Sequence, residues 1–202
     1  MERTDLEQRV LRIKASHDVE NLICRYSYYL TAGEWKTMSD MFAHNTDDIS
    51  VSVASLGTWK GREGLKRYHG FLDNLRGDKA GQLEIHLATN MMVEVSQDAL
   101  TAKAVLVSPG VATGEREGEI LSAGWDWAKA ELELICEDGY WKFRNIKLFE
   151  LIYAPYGHTF VGCSRPVPIC PKQFAPDEVF ECDCSYQPEG VQRLLPVLPQ
   201  KY

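Results

Sequence analysis

His86 stands in the middle of the strand-compatible run LEIHLATNMMVEV. A neutral imidazole titrates near working pH, so it can take a proton from carbon or oxygen and return it elsewhere. Tyr26 and Tyr29 lie one helical turn apart. A phenol can polarise a carbonyl as an oxyanion donor, although aromatic residues at this spacing also serve as ordinary core. Asp126 sits between Trp125 and Trp127, where it is either an exposed carboxylate or an inward-facing acid. Glu150 could act as base or acid if buried, because burial raises a carboxyl pKa. On the surface it would be an interface or solvated charge. Cys163, Cys170, Cys182 and Cys184, with His158, fall late in the chain. A zinc site needs about four ligands with paired spacing, and a single residue between Cys182 and Cys184 is too short for the common ribbons. No metal is expected. A phosphate-binding glycine loop, a nucleophile elbow and a dinucleotide fingerprint are absent, so no cofactor is expected either.

The elements that would carry these residues read as helices first and strands last. Leu6, Val10 and Ile13 form an amphipathic stripe over residues 5–15. Ser16 and Asp18 are capping types, which predicts a second helix carrying Val19, Leu22, Ile23, Tyr26 and Leu30 up to Gly33. EWKTMSDMF predicts a short third helix. DISVSVAS alternates as a strand, Gly57 and Gly61 bracket a turn, and REGLKRYHGFLDNL predicts a helix with Leu65, Tyr68, Phe71 and Leu72 inward. Then LEIHLATNMMVEV, LTAKAVLVS, EILSAGWDWAKAELELICE and YWKFRNIKLFELIY read as long strands. That order predicts α+β, with helices packed on one face of an antiparallel sheet. Strands of such length must bend, and a bent sheet can wrap a cavity. Residues 1–157 read as one domain. Residues 158–202 lack periodicity and read as an irregular Pro- and Cys-rich arm, packed on the domain or on a neighbouring subunit.

The totals narrow the partners. The chain has 202 residues, 45% hydrophobic and 25% charged, with a net charge of -7. No basic face is available for phosphates, so neither nucleic acid nor an anionic membrane is an expected partner. The opening MERTDLEQRV is charged and no apolar h-region follows it. A cytoplasmic protein is expected, with its six cysteines as free thiols.

Four stretches, together spanning about residues 16–153, carry a family resemblance. DVENLICRYSYYLTAGEWKTMSDMFA resembles an opening helix pair with a tyrosine-rich end. GTWKGREGLKRY is similar to a glycine-tryptophan-glycine entry into the third helix. EIHLATNMMVEVSQDALTAKA carries a histidine on the first long strand, and EDGYWKFRNIKLF resembles a final hairpin. The family is the SnoaL-like branch of the nuclear-transport-factor-2-like superfamily, nearest its scytalone dehydratase and bile-acid dehydratase members.

This resemblance implies a cone-shaped α+β barrel whose curved sheet wraps around N-terminal helices. It implies His86 as the acid–base residue and aligns Tyr26 with a dehydratase tyrosine. The dehydratase aspartate that orients the histidine falls at Thr31, whose hydroxyl can hydrogen-bond but cannot offset an imidazolium. The second histidine falls near Gly110, and two polar pocket positions near Ala128 and Ala130. If those alanines face inward, period two places Asp126 inward as a replacement acid. Tyr29, Ser108, Glu150 and Trp59 are the candidate substrate contacts. The implied activity is a cofactor-independent dehydratase on a cyclic, steroid-like or polyketide-like hydroxy-ketone. An isomerase or cyclase, or a non-catalytic binding or dimerisation module, is the alternative. A homo-oligomer, dimer or trimer, is implied as well. The discriminating feature is whether His86 faces a cavity of roughly 300–1,000 Å³ with an acid beside it.

Overall fold

The computed structural model describes residues 4–76, 80–116, 119–161, 168–182, 185–191 and 195–201. Helix α1 runs unbroken over Asp5–Ala32. A break at Ser16–Asp18 is predicted but does not occur. Capping types disfavour a helix interior only weakly. Lys14 pairs with Asp18 one turn on at 2.5 Å, and Ala15, Val19 and Ile23 carry one buried stripe straight through. A capping box of Thr4 and Glu7 starts the helix, and Gly33 ends it at φ 71°. The stripe of Leu6, Val10 and Ile13 stays exposed.

Helix α2 spans Trp35–Asp40, β1 Ser50–Val53, β2 Gly57–Lys60 and α3 Gly61–Arg76. The stretch between Gly57 and Gly61, predicted as a turn, is therefore a strand, antiparallel to β1. The run around His86 is not one strand but two, β3 over Glu84–His86 and β4 over Thr89–Val95. β5 spans Thr101–Ser108, β6 Gly110–Arg116, β7 Glu119–Glu137 and β8 Tyr140–Pro155. The break has a cause across the sheet. Pro109, between β5 and β6, has no N–H to continue a ladder, and the facing chain divides with it. β4 pairs with β5 and β3 with β6, and Leu87 N–H at the corner donates to Pro109 O at 3.0 Å.

One curved, unclosed sheet results, in the order β2-β1-β8-β7-β5-β4, with β6 and β3 continuing from the other end of β7. Only the β1–β8 pairing among these ladders is parallel. β7 lies along the length of β8 from Gly124 to Glu137. On its other side it divides, with Ala128–Ile135 against β5 and Trp125 onward toward its start against β6. Irregularities at Trp127/Ala128 and Glu133/Leu134 bend the long strands. The concave face holds the core: Val19 and Ile23 of α1, Leu65, Phe71 and Leu72 of α3, Ala130, Leu132 and Leu134 of β7, and Phe143 and Ile146 of β8.

The arm docks on this frame. Thr58 N–H donates to Glu178 O at 2.8 Å, and the fully buried Trp59 donates Nε1–H to Phe174 O at 2.7 Å. A short 3-10 turn over Lys172–Phe174 sits on α3, where Phe174 fills the space left by Gly70. Cys182 is disulfide-bonded, which corrects the expectation of free thiols throughout. Cys24, Cys136 and Cys170 are free, whereas Cys163 and Cys184 lie outside the described residues. Among the described residues no helix is long and apolar enough to cross a membrane.

Between α2 and α3 the buried His69 meets Ser39 Oγ through Nδ1 at 2.5 Å. Burial holds the His69 pKa at about 4, below its ordinary 6.5. The unfolded chain therefore binds a proton that the folded chain refuses between those values. The His69 contribution to stability is fully present above about pH 6.5 and is lost as pH falls toward 4, by roughly 3 kcal/mol. Urea denaturation at pH 7, 5.5 and 4.5 checks this, with His69→Gln showing a shallower loss.

Candidate active site

A cavity of about 160 Å³ opens between the concave sheet face and helices α1 and α3. Apolar walls come from Ile23, Phe71, Leu106, Leu132, Phe143 and Ile146. Its polar residues are Tyr26, Ser27, Tyr68, Arg76, Glu84, His86, Ser108, Asp126 and Glu150, and the arm contributes Pro168 to the wall. The volume is below the range anticipated for a drug-sized ligand, and close to a void that admits a single aromatic ring.

His86 ends β3, and its position is fixed by backbone on two sides. Ser27 Oγ, from α1, donates to His86 O. Across the ladder His86 is paired with Gly110, and a Cβ there would come within 2.5 Å of His86 Nδ1 and 2.6 Å of Asp126 O. The position where the resemblance places a second histidine is thus occupied by the edge of the first imidazole. Glycine is required for that approach.

Two carboxylates face His86 Nε2. Glu84 Oε1 is at 3.1 Å and Asp126 Oδ2 at 3.8 Å, the second beyond hydrogen-bond reach. Glu84 is ion-paired through its other oxygen to Arg76, from the end of α3. The Arg76 guanidinium also lies over the Trp35 ring, 5.8 Å from its centroid. The Asp126 side chain is only 1% exposed. Tyr26 meets Phe143 edge-on at 5.1 Å. Burial pushes the Tyr26 phenol well above its usual pKa, the neighbouring Tyr68 adds to the rise, and Arg76 opposes it. Tyr26 therefore stays protonated at neutral pH and is able to donate a hydrogen bond.

Of the residues singled out from sequence, His86, Tyr26, Asp126, Ser108 and Glu150 line the cavity. Three others do not. Thr31 is exposed on the last turn of α1, and its hydroxyl donates to Ser27 O at 3.2 Å instead. Unbroken helix to Ala32 rotates Thr31 away from the sheet. Tyr29 packs against the core outside the cavity. Trp59 is spent holding the arm. Glu84, Arg76 and Tyr68 were not singled out. Period two on a strand puts Glu84 on the face of His86, a legible signal. Arg76 is brought in only by the packing of α3. Among the described residues, no group of three or more His, Cys, Asp or Glu is arranged to hold a metal ion.

The architecture is an α+β fold in which a helix-backed, curved and unclosed sheet holds a cavity on its concave side. The family model described as a SnoaL-like domain matches residues 12–147, and the chain belongs to that family. No curated protein matches the sequence. Solved structures do resemble it. A hexachlorocyclohexane dehydrochlorinase, LinA-type3, from Novosphingobium barchaimii LL02 is 19% identical, covering 79% of this chain and 99% of its own, with a TM-score of 0.60. A protein assigned by inference as a scytalone dehydratase, from Novosphingobium aromaticivorans DSM 12444, is 20% identical over 76% and 93%, with a TM-score of 0.57. An NTF2-like protein with a cystatin-like fold, also from Novosphingobium aromaticivorans, is 18% identical over 73% and 88%, with a TM-score of 0.56. At such identities the likeness is one of fold.

Gly110→Ala tests the closeness of His86 to the sheet. The added methyl has backbone on one side and the imidazole on the other, so the ring must leave its place. The variant loses about 1–3 kcal/mol of stability, in line with overpacked sites. A thermal melt measures the loss, and the His86 ring signals in a proton NMR spectrum shift with it.

Proposed function

We propose that this protein is a lyase that eliminates water, by acid–base chemistry at His86, from a compact cyclic hydroxy-ketone. The observation that carries the reading is an imidazole lining an apolar-walled cavity with carboxylates against one of its ring nitrogens. Apolar walls exclude water, and the carboxylates offset the charge that His86 acquires when it takes a proton.

The steps balance without an oxidant or reductant. His86 removes a proton from the carbon beside the substrate carbonyl, and the C–H pair becomes the enolate. Tyr26 donates its phenolic hydrogen bond to the carbonyl oxygen as that charge builds. The enolate then collapses to a C=C bond as the C–O bond to the neighbouring hydroxyl carbon breaks. The departing oxygen receives the imidazolium proton and leaves as water. A positioned acid–base group supplies roughly 10²–10⁴-fold and one oxyanion donor roughly 10²–10³-fold.

Cavity volume refines the substrate. About 160 Å³ accommodates one ring rather than the four of a steroid. Polar groups gather around His86, and hydrocarbon walls such as Leu132, Phe143 and Ile146 make up the remainder. This favours a monocyclic ring oxygenated at one end.

The test is a turnover screen followed by mass spectrometry, with monocyclic hydroxy-ketones, hydroxylated steroids and chlorinated cyclohexanes as separate panels. Loss of 18 Da from monocyclic hydroxy-ketones is the expected result, slowed roughly 10²–10⁴-fold in His86→Ala and about 10²-fold in Tyr26→Phe. Tight binding with no turnover, unchanged in His86→Ala, would identify a binding module instead. Chloride release from the third panel alone would move the leaving group from hydroxyl to halide.

A further inference from the structure

The resemblance provides no acid for His86, because its usual position is Thr31 and that side chain points away. Asp126, the replacement read from strand parity, is on the correct face but 3.8 Å from Nε2. Glu84 is nearer, at 3.1 Å, and its second oxygen is occupied by Arg76. We propose that Glu84, clamped by Arg76, is the positioning residue for His86, holding the imidazole in place with its proton on Nε2. This deepens the lyase reading and rests on it for the identity of the substrate, but not for the assignment of the ring.

The argument is electrostatic and geometric. A carboxylate lone pair facing an imidazole lone pair at 3.1 Å is repulsive, so the neutral ring carries its hydrogen on Nε2. Nδ1 then holds the lone pair and lies against Gly110, where a Cβ would come within 2.5 Å of it. Arg76 keeps Glu84 ionised, so the proton stays on the imidazole rather than crossing to the carboxylate. Its guanidinium is fixed in turn by the Trp35 ring below it. Glu84 and His86 sit two residues apart on β3, so the strand holds both on one face. The charged and titratable groups that line the cavity with His86 are Glu84 on its own strand, Arg76 and Tyr68 from α3, Asp126 from β7, Tyr26 from α1 and Glu150 from β8.

The experiment is NMR of the histidine rings, which reads the site without any substrate. Long-range proton–nitrogen correlation in the unmodified protein gives the tautomer of neutral His86, assigned by its absence in His86→Gln. The expected form is Nε2–H, and an Nδ1–H form overturns the proposal. Titration of the same signal gives the His86 pKa. Glu84→Gln removes the anion and lowers it, whereas Arg76→Gln removes the opposing cation and raises it. Shifts of opposite sign are not produced by loosened packing, and circular dichroism confirms that each variant is folded. An unchanged pKa in Glu84→Gln, with the fall appearing in Asp126→Asn instead, overturns the assignment in favour of Asp126. Because no turnover is measured, a failed substrate screen leaves this result standing, and a failed titration leaves the lyase reading to its own test.

Discussion

β7 is hydrogen-bonded on both sides, and it changes partner on one of them. Along β8 it is paired from Gly124 to Glu137, while on its other edge β5 accompanies Ala128–Ile135 and β6 takes over toward Trp125. A strand shared in this way cannot be flat, because its two neighbours leave Pro109 in different directions. The fork bends the sheet and aims Asp126, Ala128, Ala130 and Leu132 at one hollow. It also sets β3 opposite β6, which puts His86 at the rim of that hollow and Glu84 beside it. Helices α1 and α3 close the hollow because each presents a buried stripe to it.

Within that frame the balance of the site is one of charge in an apolar container. Burying a lone carboxylate or imidazolium costs several kcal/mol, so buried charges are found in company. Arg76, Glu84, His86 and Asp126 form such a company at one region of the cavity, while Leu132, Phe143 and Ile146 leave the rest to a hydrocarbon surface. The alanines at 128 and 130 belong to this arrangement. Small side chains there enlarge a cavity whose polar work is done by groups from β3, α3 and β7.

Much of the fold was legible in local patterns. The helical stripes of α1 and α3, the alternation in β1 and the long strand-compatible runs of β5, β7 and β8 all report on neighbours a few residues away, and the α+β order follows from them. The misread places are those where distant chain decides. Ser16 and Asp18 continue a helix because the core wants one uninterrupted stripe. The run around His86 divides because Pro109, across the sheet, interrupts the ladder. Leu6, Val10 and Ile13 form a good stripe, yet nothing in the described residues covers it.

For the site, the sequence by itself determined the residue types, the face on which His86 and Glu84 lie together, and the inward parity of Asp126, since strand period is a property of the backbone alone. Tertiary structure decided which of these groups meet. Thr31 was lost because helix rotation is set by packing. Trp59 was lost because the arm needed its N–H. Arg76 was gained because α3 ends over the cavity, next to Trp35. Side-chain distances across a cavity depend on how three separate elements are held against one sheet, and no local pattern in the chain encodes them.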